Sequence, residues 1–205
     1  MATFRVVRLG RNRIQNTLAL EEAAFRSSPH NWLVLSRGIA PPTVVLGLGG
    51  KVEQLVAVEE ARRLRVDAFR RFTGGGTVVV DDNTLFVSII ANSDDVQYGD
   101  GPRALMQWTA DEVYEPVFSE LCGPVDAMPG PFALREHDFV FGDKKFGGNA
   151  QGLSRGRFVH HTSFLWDFSP ANMAALQLPA KQPEYRAKRD HDDFLCRLKT
   201  FVDDE

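Results

Sequence analysis

Three consecutive glycines at positions 74–76 limit what this chain can fold into more than any other feature. They lie inside Arg70-Arg-Phe-Thr-Gly-Gly-Gly-Thr-Val-Val-Val-Asp-Asp-Asn-Thr84, between an arginine pair and a β-branched run. Glycine has no Cβ, so it enters the left-handed backbone region freely and lets another group come close to the main chain. Within a strand such a run would weaken pairing and leave nothing to pack. The stretch therefore reads as a strand over 66–72, a bare loop, and a second strand over 77–80. Arg70 and Arg71 end the first strand, where side chains alternate, so only one of them can face the loop. A guanidinium there could grip a phosphate or carboxylate through two parallel hydrogen bonds, the ordinary alternative being a solvated surface pair. The loop is not a Walker loop, because no Gly-Lys-Ser/Thr follows and the next element is a strand.

A second glycine-rich stretch carries lysines: Gly142-Asp-Lys-Lys-Phe-Gly-Gly-Asn-Ala-Gln151. With Asp138-Phe-Val-Phe141 before it and a Gly142-Asp143 turn, it predicts a hairpin. Alternation places Lys145 with Gly147 and Asn149, and Lys144 with Phe146 and Gly148. Phe146 belongs in the core, which leaves Lys145 on the polar face. A fixed ammonium could neutralise an α-phosphate and polarise the acyl carbonyl beside it. Asp138 could hold that lysine or a ribose; its other reading is a plain strand-edge charge. His160 and His161 have no Cys, His or carboxylate at ligand spacing, so hydrogen bonding within a sheet suits them better than metal ligation. No serine sits in a nucleophile elbow. The two glycine stretches together describe a cradle for an anion or an acyl-adenylate.

The rest of the chain supplies a scaffold. At 205 residues it predicts one domain with a sizeable core. A formal charge of −3 and pI near 6.0 give no basic excess of the kind nucleic-acid binders carry. No apolar run reaches membrane-spanning length. Two distant cysteines make neither a disulfide framework nor a metal site and suit a reducing compartment. The first 20 residues hold Arg5, Arg8, Arg11 and Arg13 and no acid, a transit-peptide flavour that keeps mitochondria as the alternative to cytosol.

Periodicity predicts strands at 4–9, 32–36, 43–47, 84–90 and 158–168. It predicts helices at 14–26, 52–64, 102–122, 170–178 and 190–202, the last capped by Asp190. The strand at 84–90 is apolar on both faces and so central. Leu105, Trp108, Val117 and Leu121 form the buried stripe of the fourth helix, and 123–131 is turn-rich. The pattern is α+β, mixed or antiparallel sheets with helices packed on one side.

Arg-Arg-Phe-Thr-Gly-Gly-Gly-Thr-Val at 70–78, Lys-Phe-Gly-Gly-Asn-Ala-Gln at 145–151 and Phe-Val-His-His-Thr at 158–162 resemble the lipoate–protein ligase family, within the biotin/lipoate ligase and octanoyltransferase superfamily. Leu18-Ala-Leu-Glu-Glu22 and Pro42-Thr-Val-Val-Leu-Gly47 extend the resemblance, in order, over nearly the whole chain. It implies activation of lipoate by ATP and Mg²⁺ to lipoyl-AMP. Transfer follows, to a lysine on a lipoyl carrier domain of a 2-oxoacid dehydrogenase E2 subunit or a glycine-cleavage H protein. It further implies Lys145 as the essential lysine. The acyl-adenylate contacts it implies are Arg70, Gly74, Gly75, Gly76, Thr77, Val78, Asp138, Gly148, Asn149, Ala150, His161 and Thr162, with no side-chain metal site.

The chain departs from the family pattern at several points. Val80 stands where His commonly precedes Asp, the next loop is a residue shorter at Asp82-Asn83, Gly147-Gly148-Asn149 replaces Ser-Gly-Ser, and Thr162-Ser163 replaces Gly-Thr. Many ligases carry an accessory domain or a partner chain for adenylation, and 1–205 reads as the catalytic domain alone. Octanoyltransferases of the superfamily form a thioester on a cysteine, but neither 130–138 nor 171–185 contains one. Cys122 and Cys196 read as small buried apolar residues. A lipoyl- or acyl-binding protein without turnover is the non-enzymatic alternative.

Overall fold

The computed structural model describes residues 2–122, 128–178 and 182–202. In chain order its strands are β1 Phe4–Leu9, β2 Asn31–Arg37, β3 Thr43–Leu46, β4 Asp67–Arg70, β5 Val78–Val80, β6 Thr84–Asn92, β7 Phe132–Arg135, β8 Asp138–Phe141, β9 Lys144–Ser154 and β10 Arg157–Leu165. The helices are α1 Ile14–Ser27, α2 Val52–Leu55, α3 Val58–Leu64, α4 Gly101–Trp108, α5 Glu115–Leu121, α6 Pro170–Met173 and α7 His191–Phe194. Seven strands form one mixed sheet in the order β1-β2-β6-β10-β9-β8-β7, and β4-β3-β5 form a second. Only β1 with β2 and β3 with β4 run parallel. The expected hairpin is β8–β9, and β6 is an interior strand, as its two apolar faces require.

Alternation along β6 and β10 divides the core into two layers. Ile90 and Val159 pack against Ala24 and Phe25 of α1, while Ile89, Ala91 and Phe158 pack against Leu105 of α4. The α+β class is as expected. However, the helices cover both faces of the large sheet rather than one, because an interior strand with two apolar faces needs a partner on each. The strand expected over 158–168 is β10, and it ends at Leu165. Trp166 and Phe168 lie beyond it and join different clusters.

Three helices differ from their periodicity. The helix over 52–64 is two pieces, interrupted where the Ala57 amide donates to the Ala175 carbonyl and the Leu55 carbonyl accepts from the Gln177 amide. Between α4 and α5 the chain makes a π-helical segment, Thr109–Tyr114. A π turn holds an extra residue and rotates everything after it. The buried positions are therefore Leu105, Ala110, Tyr114 and Phe118, and Val117 and Leu121 are exposed. The helix expected over 190–202 stops after Phe194, because the Cys196 amide donates to the Lys145 carbonyl instead of continuing the helix. Asp190 caps α7 as expected, accepting from the Asp193 amide. β7 had no signal of its own, and the turn-rich 123–131 stretch lies partly outside the described residues. No helix among the described residues is long and apolar enough to cross a membrane.

Candidate functional site

A cleft of ≈ 530 Å³ opens between the two sheets. Val45, Val78 and Val79 of the small sheet line one wall; Phe86, Ala150, His161 and Leu165 of the large sheet line the other. Leu176, Phe194 and Leu195 complete an apolar section. A chain of methylenes could be buried here for about 0.8 kcal/mol each.

The triple glycine forms one polar rim, and it is held by Arg71 rather than Arg70. The buried Arg71 guanidinium donates to the Gly74 carbonyl at 2.8 Å and the Gly76 carbonyl at 2.7 Å. Burial lowers its pKa to about 10, and the charge of Glu21 opposes that shift. The order runs deeper through Thr73, whose Oγ1 accepts from Arg71 Nε at 3.0 Å and lies 3.3 Å from His161 Nε2. His161 Nδ1 is 2.9 Å from Glu21 Oε2, and Ser88 Oγ donates to the other oxygen. Both Glu21 oxygens are thus engaged, as a buried carboxyl group requires.

Arg70 turns the other way, and its guanidinium donates to the carbonyls of Gly47, Leu48 and Gly50. That second glycine loop backs directly onto the first: a Cβ on Gly47 would lie 2.2 Å from the Gly75 carbonyl oxygen. Gly75 itself has φ +100°, a conformation that a side chain would strain.

Lys145 forms the facing rim. Its Nζ lies 2.8 Å from Asp138 Oδ1, and Asp138 Oδ2 accepts from the Tyr185 hydroxyl at 2.8 Å. Burial, then the Asp138 charge, pushes the Tyr185 phenol far above its ordinary pKa, so it stays a donor. The sheet register explains how Lys145 reaches the cleft. A bulge shifts the β8–β9 pairing, with Phe139 opposite Gly147 but Val140 opposite Lys145. Phe146 and Gly147 both turn to the phenylalanine core. Lys145 thus shares its face with Gly148, whose added Cβ would sit 3.3 Å from Nζ, rather than with Gly147 and Asn149 as simple alternation gave.

Of the residues singled out in the sequence, Gly75, Gly76, Thr77, Val78, Asp138, Lys145, Gly148, Asn149, Ala150 and His161 all border this cleft. Arg70, Gly74 and Thr162 do not. Gly74 contributes its carbonyl to Arg71. Thr162 is buried, donating at 2.6 Å to Asn149 Oδ1. His160 shares that inner layer, bonded to Gln151 and near Thr109; burial lowers its pKa to about 3, so it is neutral. His160 thus bonds to a neighbouring strand, as expected, whereas His161 bonds away from the sheet, to Glu21 of α1 and Thr73 of the glycine loop. Of the arginine pair, the resemblance carried Arg70 forward and left Arg71 as the alternative, and sequence reasoning gave no role to Glu21, Tyr185, Arg186 or His191. Glu21 lay inside a matched stretch; the last three carried no local signal, being brought to Lys145 only when 182–197 returns alongside β9. Cys196 comes with them, half-buried beside the Lys144 carbonyl, and burial pushes its thiol up to about 12.

Two sheets enclosing such a cleft define a fold found in solved ligases. A crystal structure of lipoate–protein ligase A bound with ATP superposes with TM-score 0.77 at 21% identity, covering 100% of this chain and 79% of that one. A bipartite lipoate protein ligase from Thermoplasma acidophilum, studied with its E2 lipoyl domain, gives TM-score 0.75 at 21% identity, covering 100% and 78%. Among sequences, inactive lipoate–protein ligase 2 of Plasmodium falciparum is 30% identical over 79% of this chain and 49% of its own length. The chain thus spans about half of that relative. The family model for the lipoyl protein ligase A/B catalytic domain matches residues 13–205, and the chain belongs to that family.

Proposed function

We propose that this chain is the catalytic domain of a lipoate–protein ligase, forming lipoyl-AMP from lipoate and ATP and passing the lipoyl group to one lysine of a lipoyl carrier domain. The observation that carries this reading is the Lys145 ammonium, held by Asp138 at 2.8 Å, across a largely apolar cleft from the glycine rim. In the first step a lipoate carboxylate oxygen attacks the α-phosphorus and pyrophosphate leaves. In the second the carrier amine attacks the acyl carbonyl, AMP leaves, and the amine loses a proton.

Neither step needs a nucleophile from the protein. It needs the reactants held in line, the apolar wall around the acyl chain, and a fixed positive charge where negative charge develops. Lys145 supplies that charge. Asp138 and Tyr185 fix its position, and the Arg71–Thr73–His161–Glu21 chain keeps the glycine rim in one shape. Glu136 and Asp138 are the acidic side chains bordering the cleft. Asp138 is already committed to Lys145 and Tyr185, so a Mg²⁺ ion arriving with the triphosphate, held mainly by phosphate oxygens and water, could take Glu136 as its carboxylate. Such an ion would neutralise the departing pyrophosphate.

The carriers of this reading are E2 subunits of 2-oxoacid dehydrogenases and the glycine-cleavage H protein. A second reading is favoured by two relatives, one named inactive and one bipartite: a domain that transfers preformed lipoyl-AMP and requires a separate chain for activation. Incubation with lipoate, Mg²⁺ and α-labelled ATP separates the two. Labelled lipoyl-AMP supports the complete ligase, and transfer from preformed lipoyl-AMP alone supports the second reading. Neither product would reject both and leave an acyl-binding module.

A further inference from the structure

We infer that Arg186 is an oxyanion-binding residue of the cleft, taking a phosphoryl oxygen of the bound nucleotide on the Lys145 side; this rests on the nucleotide-dependent reading above. Arg186 borders the cleft and is only 6% exposed. Its Nη2 is buried with no hydrogen-bond partner among the described residues. A buried charged donor without an acceptor is rare and expensive, which calls for a reason.

The rest of the side chain is fixed. Nε donates to the Arg189 carbonyl at 3.0 Å, and the guanidinium lies 4.7 Å over the Phe194 ring. The neighbouring Arg189 is different, because its donors are taken by the Asp143 carboxylate, the Asp143 carbonyl and the Tyr185 carbonyl. Arg186 is therefore a held fork with a donor in reserve.

Its place is set by the return of the chain beside β9. Leu195 pairs with Lys145, and the Cys196 amide donates to the Lys145 carbonyl at 2.9 Å. Around it stand Asp138, already committed to Lys145 and Tyr185, together with Asp190 and the imidazole of His191. His191 feels both Arg186 and Lys145 as like charges. Arg186 and Lys145 thus place two cationic side chains on one cleft, where an anionic ligand group would meet them. A guanidinium fork matches phosphate geometry.

The test measures binding of AMP, ATP and lipoate, each separately, to the full chain and to Arg186→Gln. The expected result is an AMP and ATP affinity weaker by about 10- to 100-fold with lipoate affinity unchanged. Loss of lipoate affinity alone would assign the oxygen to a carboxylate and overturn the proposal. Equal nucleotide affinity in both proteins overturns it while leaving the ligase reading intact. A wild-type chain that binds no nucleotide overturns both. Should Arg186→Gln fail to fold, the ¹⁵Nε resonance of Arg186 in the wild type decides: it must shift on saturation with AMP, and an unmoved resonance refutes the assignment.

Discussion

Gly47→Ala tests whether the two glycine loops support each other. The new Cβ would stand 2.2 Å from the Gly75 carbonyl oxygen, a backbone atom that no rotamer change can move. An ordinary contact needs more than an ångström of additional separation. Opening the loops by that much pulls on the Leu48 amide, which donates to the Thr73 carbonyl at 2.9 Å, and on the Arg71 bonds to Gly74 and Gly76. Overpacking of this kind costs about 1–3 kcal/mol, and weakening one bond to a charged group adds about 1 kcal/mol. The reduced unfolded-state entropy of alanine returns about 0.4–1 kcal/mol. The balance is a loss of roughly 1–3 kcal/mol, or about 2–12 °C in Tm for a domain of this size. Differential scanning calorimetry measures it, with Gly49→Ala and Gly74→Ala as controls, since a Cβ at either meets nothing within 4 Å. Lipoyl transfer should fall with Gly47→Ala and survive in Gly49→Ala. If all three variants melt alike, the loops are not in contact and the argument for a rigid glycine rim fails.

Two further outcomes follow from the site and the core. Lys145→Ala should reduce lipoyl transfer by roughly 10²–10³-fold, the scale for removing a donor aimed at developing charge, while circular dichroism shows a retained fold; undiminished transfer would reject the role of Lys145. Acid should destabilise the fold through His160. Its pKa is depressed to about 3 when folded, so below the unfolded value near 6.5 the unfolded chain binds the extra proton, and stability falls with pH. Between pH 7 and pH 5 this amounts to about 2 kcal/mol. Urea titrations at both values measure it, and His160→Gln should flatten that part of the dependence. An unchanged slope in the variant would show that another group controls it.

Much of the scaffold was written locally. Strand-forming composition identified β1, β2 and β8, the two apolar faces of β6 identified its interior place, and an apolar repeat identified α1. The glycine run and the Lys145 stretch announced the two rims of the cleft, because bare backbone and a lysine beside a hairpin are unusual wherever they occur. Three things resisted local reading for one shared reason: their backbone hydrogen bonds were settled by partners distant in sequence. The bulge in β9 exchanged the face of Gly147 for that of Gly148. The π turn before α5 rotated the buried stripe from Val117 to Phe118. The chain after Phe194 left its helix to pair with Lys145.

The amino-acid sequence by itself determined the class of fold and the two rims of the cleft, the glycine run and the lysine-bearing hairpin, since these depend on residues within a few positions of one another. Only the tertiary structure decided which arginine of the pair is buried against the rim, that Glu21 and His161 stand behind it, and that Arg186 joins Lys145 on the cleft with a donor that meets no acceptor among the described residues. Strand alternation gives two equivalent faces, and it takes the packing of one sheet against another to make one of them the inside.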